Sequence, residues 1–298
     1  MKSIVLQNLV IGNEGRRVAG PLNAEFRPGQ LSCLLGRNGV GKSTLLRTLS
    51  GFQPPLGGTL LFDGQRLSDL SRGQRSRMIS IVLTGRPQLS NLKTEELVAL
   101  GRSPYTGFFG RLGEADRQVV TEALADVGIK ALAERNVATL SDGEMQKVMI
   151  AKALAQHTPV MLLDEPTAFL DFPSKVEVMA TLSRLAEEQQ KIILLSTHDV
   201  ELALRTRARL YTFGEGLTEV SHEEVKRSVD VLMASTTALR WSRRTNPKLT
   251  KKRCYNDGNG LFFVSLQKRN TYDRMGKNVG RRALRRQRPD GAGTSVCQ

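Results

Sequence analysis

The chain has 298 residues, of which 40% are hydrophobic and 24% charged, enough apolar content to bury a sizeable core and too much for wholesale disorder. No apolar run approaches the ~18 residues of a membrane span. Cys33, Cys254 and Cys297 are odd in number and lack metal-ligand spacing, which argues against a disulfide framework. The net charge of +15 is unevenly placed, because residues 240–298 hold sixteen Lys and Arg against Asp257, Asp273 and Asp290.

In chain order, residues 1–35 alternate and run apolar, with turns at "GNEG" and "RPGQ", the pattern of short strands. The opening "MKSIVLQNLVIG" is interrupted by Gln7 and Asn8 and has no cleavage site, so it reads as an edge strand and a cytoplasmic location is inferred. "LSCLL" is continuous enough to be buried on both faces, with Cys33 as inert core. After it come a glycine-rich loop and a helix carrying Leu45, Leu46 and Leu49, stopped by Gly51. Three helical stretches follow between about 85 and 156: "KTEELVALG", "EADRQVVTEALADVG" and "SDGEMQKVMIAKALA". The first two are expected to close at their glycines. "VMLLD" and "KIILLS" are buried strands separated by a helix that Pro173 opens and on which Val176, Met179 and Leu182 recur. Strands alternating with helices imply a mainly parallel sheet. Beyond about residue 226 the periodicity fades; "GLFFVSLQ" reads as a strand, and the final basic run has little to bury.

Residues Gly36, Arg37, Asn38, Gly39, Val40, Gly41, Lys42 and Ser43 spell G-x-x-x-x-G-K-S, followed by Thr44. Glycines let such a loop wrap the β-phosphate of a nucleotide with N–H groups at a helix N-terminus. Lys42 should reach the β and γ oxygens, and Ser43 should bind Mg²⁺. In "VMLLDEPTAFLD" the strand ends in Asp164, a carboxylate at the edge of the sheet where α/β ligands bind, placed to hold Mg²⁺. Glu165 is placed to orient or deprotonate an attacking water. Ser141 and Glu144 form a capping box around Asp142 and Gly143, aiming a helix dipole at any approaching anion.

"GRNGVGKST", "LSDGE", "LLDEPTAFLD" and "LLSTHD", in this order over roughly residues 1–220, resemble the ATP-binding subunit of an ABC transporter. The resemblance implies an α/β P-loop NTPase fold: a RecA-like core with an antiparallel β subdomain, at 1–84 and 157–226, and an inserted α-helical subdomain at 85–156. It implies head-to-tail homodimers in which Ser141, Gly143 and Glu144 meet the ATP held by the partner's Lys42 loop. It further implies that His198 senses the γ-phosphate beside Glu165 and that Asp171 crosses the dimer seam. His157 and His222 match no motif and are expected at the surface. Four positions depart from the family pattern. Asp142 and Glu144 stand in a turn that is usually LSGGQ, Glu144 turning aside by capping and Asp142 left without a role. The Gln expected at Mg²⁺ aligns with Thr84, with Gln88 as a possible substitute. No aromatic for adenine lies near Asn13.

"EELVALGRSPYTGFFGRLGEADRQVV" is similar to the helical subdomain of ATPases serving iron-siderophore, haem and cobalamin importers, through Gly101, Arg102, Pro104, Tyr105, Phe108 and Phe109. That resemblance implies two permease subunits, a periplasmic binding protein acting indirectly, and a peripheral position on the inner face of the membrane. "PYTGFFG" reads either as an aromatic knob for a partner or as a loop packed on its own subdomain. The alternatives are a soluble ATPase acting on nucleic acid or ribosomes, disfavoured by the lack of tandem cassettes, and a regulatory ATP-binding subunit with little turnover. The basic extension 227–298 is expected to be poorly ordered, and three readings of it stand open: a solvated segment, an anchor to anionic surfaces, or the product of a shifted reading frame.

Overall fold

The computed structural model describes residues 3–85, 91–107, 110–168, 170–214 and 216–228, and the backbone of two further strands at 249–256 and 262–268. The chain divides into two units, Met1–Met233 and Ala234–Gln298. The second contains an antiparallel pair of strands, Leu249–Asn256 and Phe262–Lys268, the latter where "GLFFVSLQ" predicts one.

The first unit begins with β1 (Ile4–Asn13), β2 (Arg16–Phe26) and β3 (Gln30–Leu35), then α1 (Lys42–Leu49), β4 (Gly57–Phe62) and β5 (Gln65–Arg66). β1 is not an edge strand: it pairs antiparallel with β2 on one side and β4 on the other, in a sheet of order β2-β1-β4-β5. The polar pair that breaks its alternation is a bulge. Asn8 has φ +48, and the register shifts there, so the buried set passes from Ile4 and Leu6 to Leu9 and Ile11. One extra residue moves every following side chain to the other face, and the bulge restores the phase. Asn23 supports it, its side chain accepting the Asn8 N–H at 2.8 Å.

After β5 come α2 (Arg72–Met78) and β6 (Ile79–Val82), then α3 (Thr94–Ala99), α4 (Glu114–Asp126), α5 (Asp142–Ala155), β7 (Val160–Asp164), α6 (Phe172–Glu188), β8 (Ile192–Thr197), α7 (Val200–Leu204), β9 (Arg209–Phe213) and β10 (Leu217–Val220). A six-stranded sheet runs β10-β9-β3-β8-β7-β6, parallel except for β10. Its central strands are buried on both faces, as "LSCLL", "VMLLD" and "KIILLS" predict. Leu163, Leu195 and Cys33 point to a core shared with α3, α4, α5 and α6. Leu34, Leu162 and Leu194 point to the opposite core, shared with α1 and the antiparallel sheet. Cys33 is fully buried, and burial pushes its thiol up to about 12.

The predicted helices are present, but two details differ. On α6, Val178, Met179, Leu182, Leu185 and Ala186 face the core while Val176 is 38% exposed, because Val178 rather than Val176 stands four residues before Leu182 on the buried stripe. Gly51 ends α1 in the left-handed region with φ +75, and Phe52 N–H reaches back to the Arg47 carbonyl at 3.0 Å, a Schellman closure. Gly128 likewise has φ +72. Gly101 does not act this way. It is buried in a short 3-10 turn, Leu100–Arg102, where an added Cβ would lie 2.2 Å from the Lys152 carbonyl of α5, so glycine there permits close approach of two backbones. Among the described residues no helix is long and apolar enough to cross a membrane.

Candidate active site

Three parallel strands end side by side at one edge of the sheet, and each delivers part of the site. Beyond β3 the loop 36–41 turns into α1, with Gly41 at φ 112 as its N-cap; an L-residue is strained at that angle, and a Cβ there would also lie 2.4 Å from Val18. Lys42 is buried, and its Nζ donates to the Gly36 carbonyl at 2.8 Å and the Arg37 carbonyl at 3.1 Å. The ammonium thus fastens the loop from inside. Burial holds its pKa below the ordinary lysine value, opposed by the nearby Glu165 and Asp164 carboxylates. Ser43 and the outer loop residues Arg37, Asn38 and Gly39 are exposed, with Val40 and Thr44 half-buried.

Beyond β7, Asp164 is buried and Glu165 half-buried with φ +48. Beyond β8 lies exposed His198, whose Nδ1 stands 3.4 Å from Glu165 Oε1. One hydroxyl that the sequence reading missed holds this corner together. Ser196, fully buried on β8, donates from Oγ to Asp164 Oδ1 at 2.7 Å and accepts the Glu165 N–H at 2.9 Å. The pairing of Asp164 with Ser196 in the β7–β8 ladder puts it there. Its signal in the sequence was a polar residue inside the apolar run "KIILLS", which a strand buried on both faces tolerates only with partners.

Thr84, just past β6, donates its hydroxyl to the Asp164 carbonyl at 2.8 Å. The position aligned with the expected Gln therefore sits on the Asp164 strand end. Gln88 lies outside the described residues. Among the described residues no cluster of three or more His, Cys, Asp or Glu could hold a metal. The donor set of Ser43, Asp164 and Thr84 nonetheless fits Mg²⁺, which takes oxygen ligands from one or two protein groups and completes its shell with phosphate and water.

The turn "LSDGE" opens α5. Ser141 caps α5: Glu144 N–H donates to Ser141 Oγ at 3.3 Å, and Ser141 N–H donates to Glu144 Oε2 at 2.8 Å. Among the described residues no hydrogen bond or ion pair joins Ser141, Gly143 or Glu144 to the Lys42 loop. Glu144 is turned aside by capping, as expected. Asp142, which the sequence reading left without a role, lines a small cleft with Thr84 and Glu165. A Cβ on Gly143 would only touch Leu170 at 3.6 Å and Ser174 at 3.9 Å, so the chain's own packing does not demand glycine there. Asp171 caps α6 by accepting the Ser174 N–H at 3.3 Å, and one turn on Lys175 pairs with Asp199 at 3.0 Å.

Tyr105 packs on its own chain, its ring 4.0 Å from the Arg102 guanidinium carbon and 5.5 Å from that of Arg77, and Arg102 is held by Asp116 at 2.9 Å and the Ala155 carbonyl at 2.9 Å. Phe108 and Phe109 lie outside the described residues. His157 is exposed as expected. His222 is half-buried, with Nε2 3.0 Å from the Thr206 carbonyl; that carbonyl gives its ring a partner inside the surface layer. Asn13 is exposed at the end of β1.

A glycine loop between strand and helix, a histidine past the adjacent strand and a carboxylate pair at the end of the strand after that define a P-loop nucleotide-hydrolysing protein with an inserted helical layer. Residues 20–168 match the family model described as ABC transporter. The chain is 41% identical over 199 residues to an ABC transporter ATP-binding protein of Methanocaldococcus jannaschii, covering 67% of this chain and 69% of that one. It is 37% identical over 205 residues to the iron(3+)-hydroxamate import ATP-binding protein of Bacillus subtilis, covering 69% and 76%. Among solved structures, the dimeric structure of a bacterial ABC transporter cassette superposes with a TM-score of 0.64 at 27% identity, over 74% of this chain and 98% of that one. The chain belongs to the ABC transporter ATP-binding family, as a cassette that binds ATP and couples its hydrolysis to transport.

Proposed function

We propose that this chain energises an importer of an iron chelate or a related metal chelate such as haem or cobalamin. Two copies would sandwich two ATP molecules beneath two permease subunits, on the inner face of the membrane, with a periplasmic binding protein delivering the cargo. Residues 1–226 form the cassette in this reading, with the helical layer at 85–156. The likeness to the hydroxamate-import ATPase supports the cargo class.

The observation that carries the reading is that one chain holds two phosphate-binding features, the Lys42 loop and the capped start of α5, and superposes on a cassette whose structure is dimeric. Lys42, Asp164, Glu165 and His198 share one sheet edge, whereas Ser141 caps α5, with Glu144 closing the capping box. In the sandwich, one nucleotide is gripped by the Lys42 loop of one chain and the α5 start of the other. Lys42 spends two N–H groups on loop carbonyls, leaving the third for phosphate. Ser43 and Asp164, with Thr84 behind, would hold Mg²⁺, which supplies charge neutralisation to the phosphates. Glu165 takes a proton from the attacking water as its oxygen bonds to the γ-phosphorus. His198, 3.4 Å from Glu165, orients that water before attack; the bond to the bridging oxygen then breaks, and ADP and inorganic phosphate leave. Hydrolysis removes the bridge between chains, and the pair reopens.

Glu165→Gln keeps the shape and removes the base, so it should form a stable dimer in saturating Mg-ATP with little turnover. If sedimentation shows that variant monomeric under those conditions, the sandwich is wrong for this chain. Uptake of a ferric hydroxamate by vesicles carrying the chain with its permease tests the cargo; retention of the chain on nucleic acid in place of a permease would favour the alternative ATPase role.

A further inference from the structure

Glu144 brings a negative charge to a turn that, in the sandwich reading, faces a triphosphate. Its carboxylate is fully engaged. Oε2 accepts from Ser141 N–H at 2.8 Å and from Ser141 Oγ–H at 3.0 Å, and Oε1 accepts from Arg135 Nη1 at 3.2 Å. The same guanidinium donates from Nη2 to the Thr139 carbonyl at 3.0 Å, so Arg135 grips the segment on both sides of Ser141. Arg135 is itself anchored from behind: its carbonyl accepts the N–H of Thr94 at 2.9 Å and the Thr94 hydroxyl at 3.1 Å, and Thr94 is fully buried at the start of α3. The other cation near Glu144, Lys147 on α5, is paired with Glu177 of α6 at 2.7 Å.

The geometry points to Arg135 as a positioning residue of the ATP-driven dimer: it cancels the charge of Glu144 and fixes the 139–144 turn, so that Ser141 and the α5 N-terminus meet the partner's triphosphate without a repelling carboxylate. This rests on the sandwich reading. A fork of planar donors suits the task, since it binds the carboxylate and the carbonyl at once. Remove it, and an uncompensated charge stands at the start of the helix, where the dipole otherwise favours an incoming anion. Repulsion between that carboxylate and a triphosphate should weaken each contact about tenfold, or about 1.4 kcal/mol. A two-fold dimer has two such contacts, so its dissociation constant should rise about a hundredfold.

The test is a double-mutant cycle in the full chain carrying Glu165→Gln, reading the dimer dissociation constant in saturating Mg-ATP by sedimentation velocity. Arg135→Met should weaken the dimer about a hundredfold, and Arg135→Lys should recover part of the loss. With Glu144→Gln already present, Arg135→Met should change the constant by less than about threefold, because the charge to be cancelled is gone. An equal loss in both backgrounds would make Arg135 a structural prop only and overturn the inference, as would an Arg135→Met dimer as tight as its parent. A parent that never dimerises overturns the sandwich and this inference together, a result distinct from a dimer indifferent to Arg135. Thermal melts and nucleotide affinity of the monomer, which reads the Lys42 loop, show that each variant is folded.

Discussion

Ser196→Ala removes one oxygen and strips two functional groups of their partners. Asp164 Oδ1 loses its 2.7 Å donor and the Glu165 N–H loses its 2.9 Å acceptor, at a side chain with no solvent exposure. A hydrogen bond to a charged group is worth about 1.5–3 kcal/mol, and an orphaned buried N–H costs about 1–3 kcal/mol. Glu165 is half-buried and held at φ +48, so water can relieve part of the second loss. A total of about 3 kcal/mol follows, which lowers the melting temperature of a domain this size by roughly 6–12 °C. The catalytic effect should be larger than the stability effect suggests, because a shift of about 1 Å in a reacting group costs about a hundredfold in rate. Steady-state phosphate release should show kcat reduced about 30- to 100-fold with KM for ATP within about threefold, since the Lys42 loop is untouched. Ser196→Thr keeps the hydroxyl and should recover most of kcat. An alanine variant with unchanged kcat, or one in which only KM rises, would refute the assignment of Ser196 to the carboxylate pair.

Gly101→Ala places a Cβ 2.2 Å from the Lys152 carbonyl; one backbone must move, and differential scanning calorimetry should register a loss of about 2–4 kcal/mol. The Cys33 thiol, raised to about 12 by burial, should resist a thiol reagent at pH 8 in the native protein and react promptly in denaturant. Hydrogen bonds from Ser141, with Arg135 adding attraction, hold the Glu144 carboxyl below its ordinary value of 4.5. A depressed folded-state value stabilises the protein fully above the unfolded value and loses that contribution as pH falls through the folded one. Denaturant melts of the parent and Glu144→Ala should therefore differ by a constant amount from pH 7 to about 5 and converge below about 4.5.

The central strands and the nucleotide loop were legible because their signals are local: continuous apolar runs, fixed motif spacing, a caps-and-glycine grammar. α2 left no such trace. It buries no residue, so it has no apolar stripe, and only the Ser71–Gln74 capping box marked it. β1 misled because a bulge at Asn8 looks like an interruption, and interruption suggests an edge; register against two partners is a property of three segments at once. Val176 misled because a spacing of three fits a stripe as well as four does, and the facing surface decides between them. Gly101 likewise reads as a stop until the carbonyl across from it is known. Ser196 is the instructive miss, a site residue whose role depends on the last residue of a neighbouring strand and the one after it.

Asp171 and Lys175 occupy successive turns at the head of one α-helix, and Lys175 is tied by its ammonium to Asp199, the residue following His198. A helix is stiff over one turn. The carboxylate at its tip and the segment bearing the imidazole are therefore held by one short, stiff piece of backbone, like the two ends of a rocker arm. Asp171, where the sequence expects a neighbouring chain, is thus joined to the segment bearing His198 through one helical turn and one ion pair.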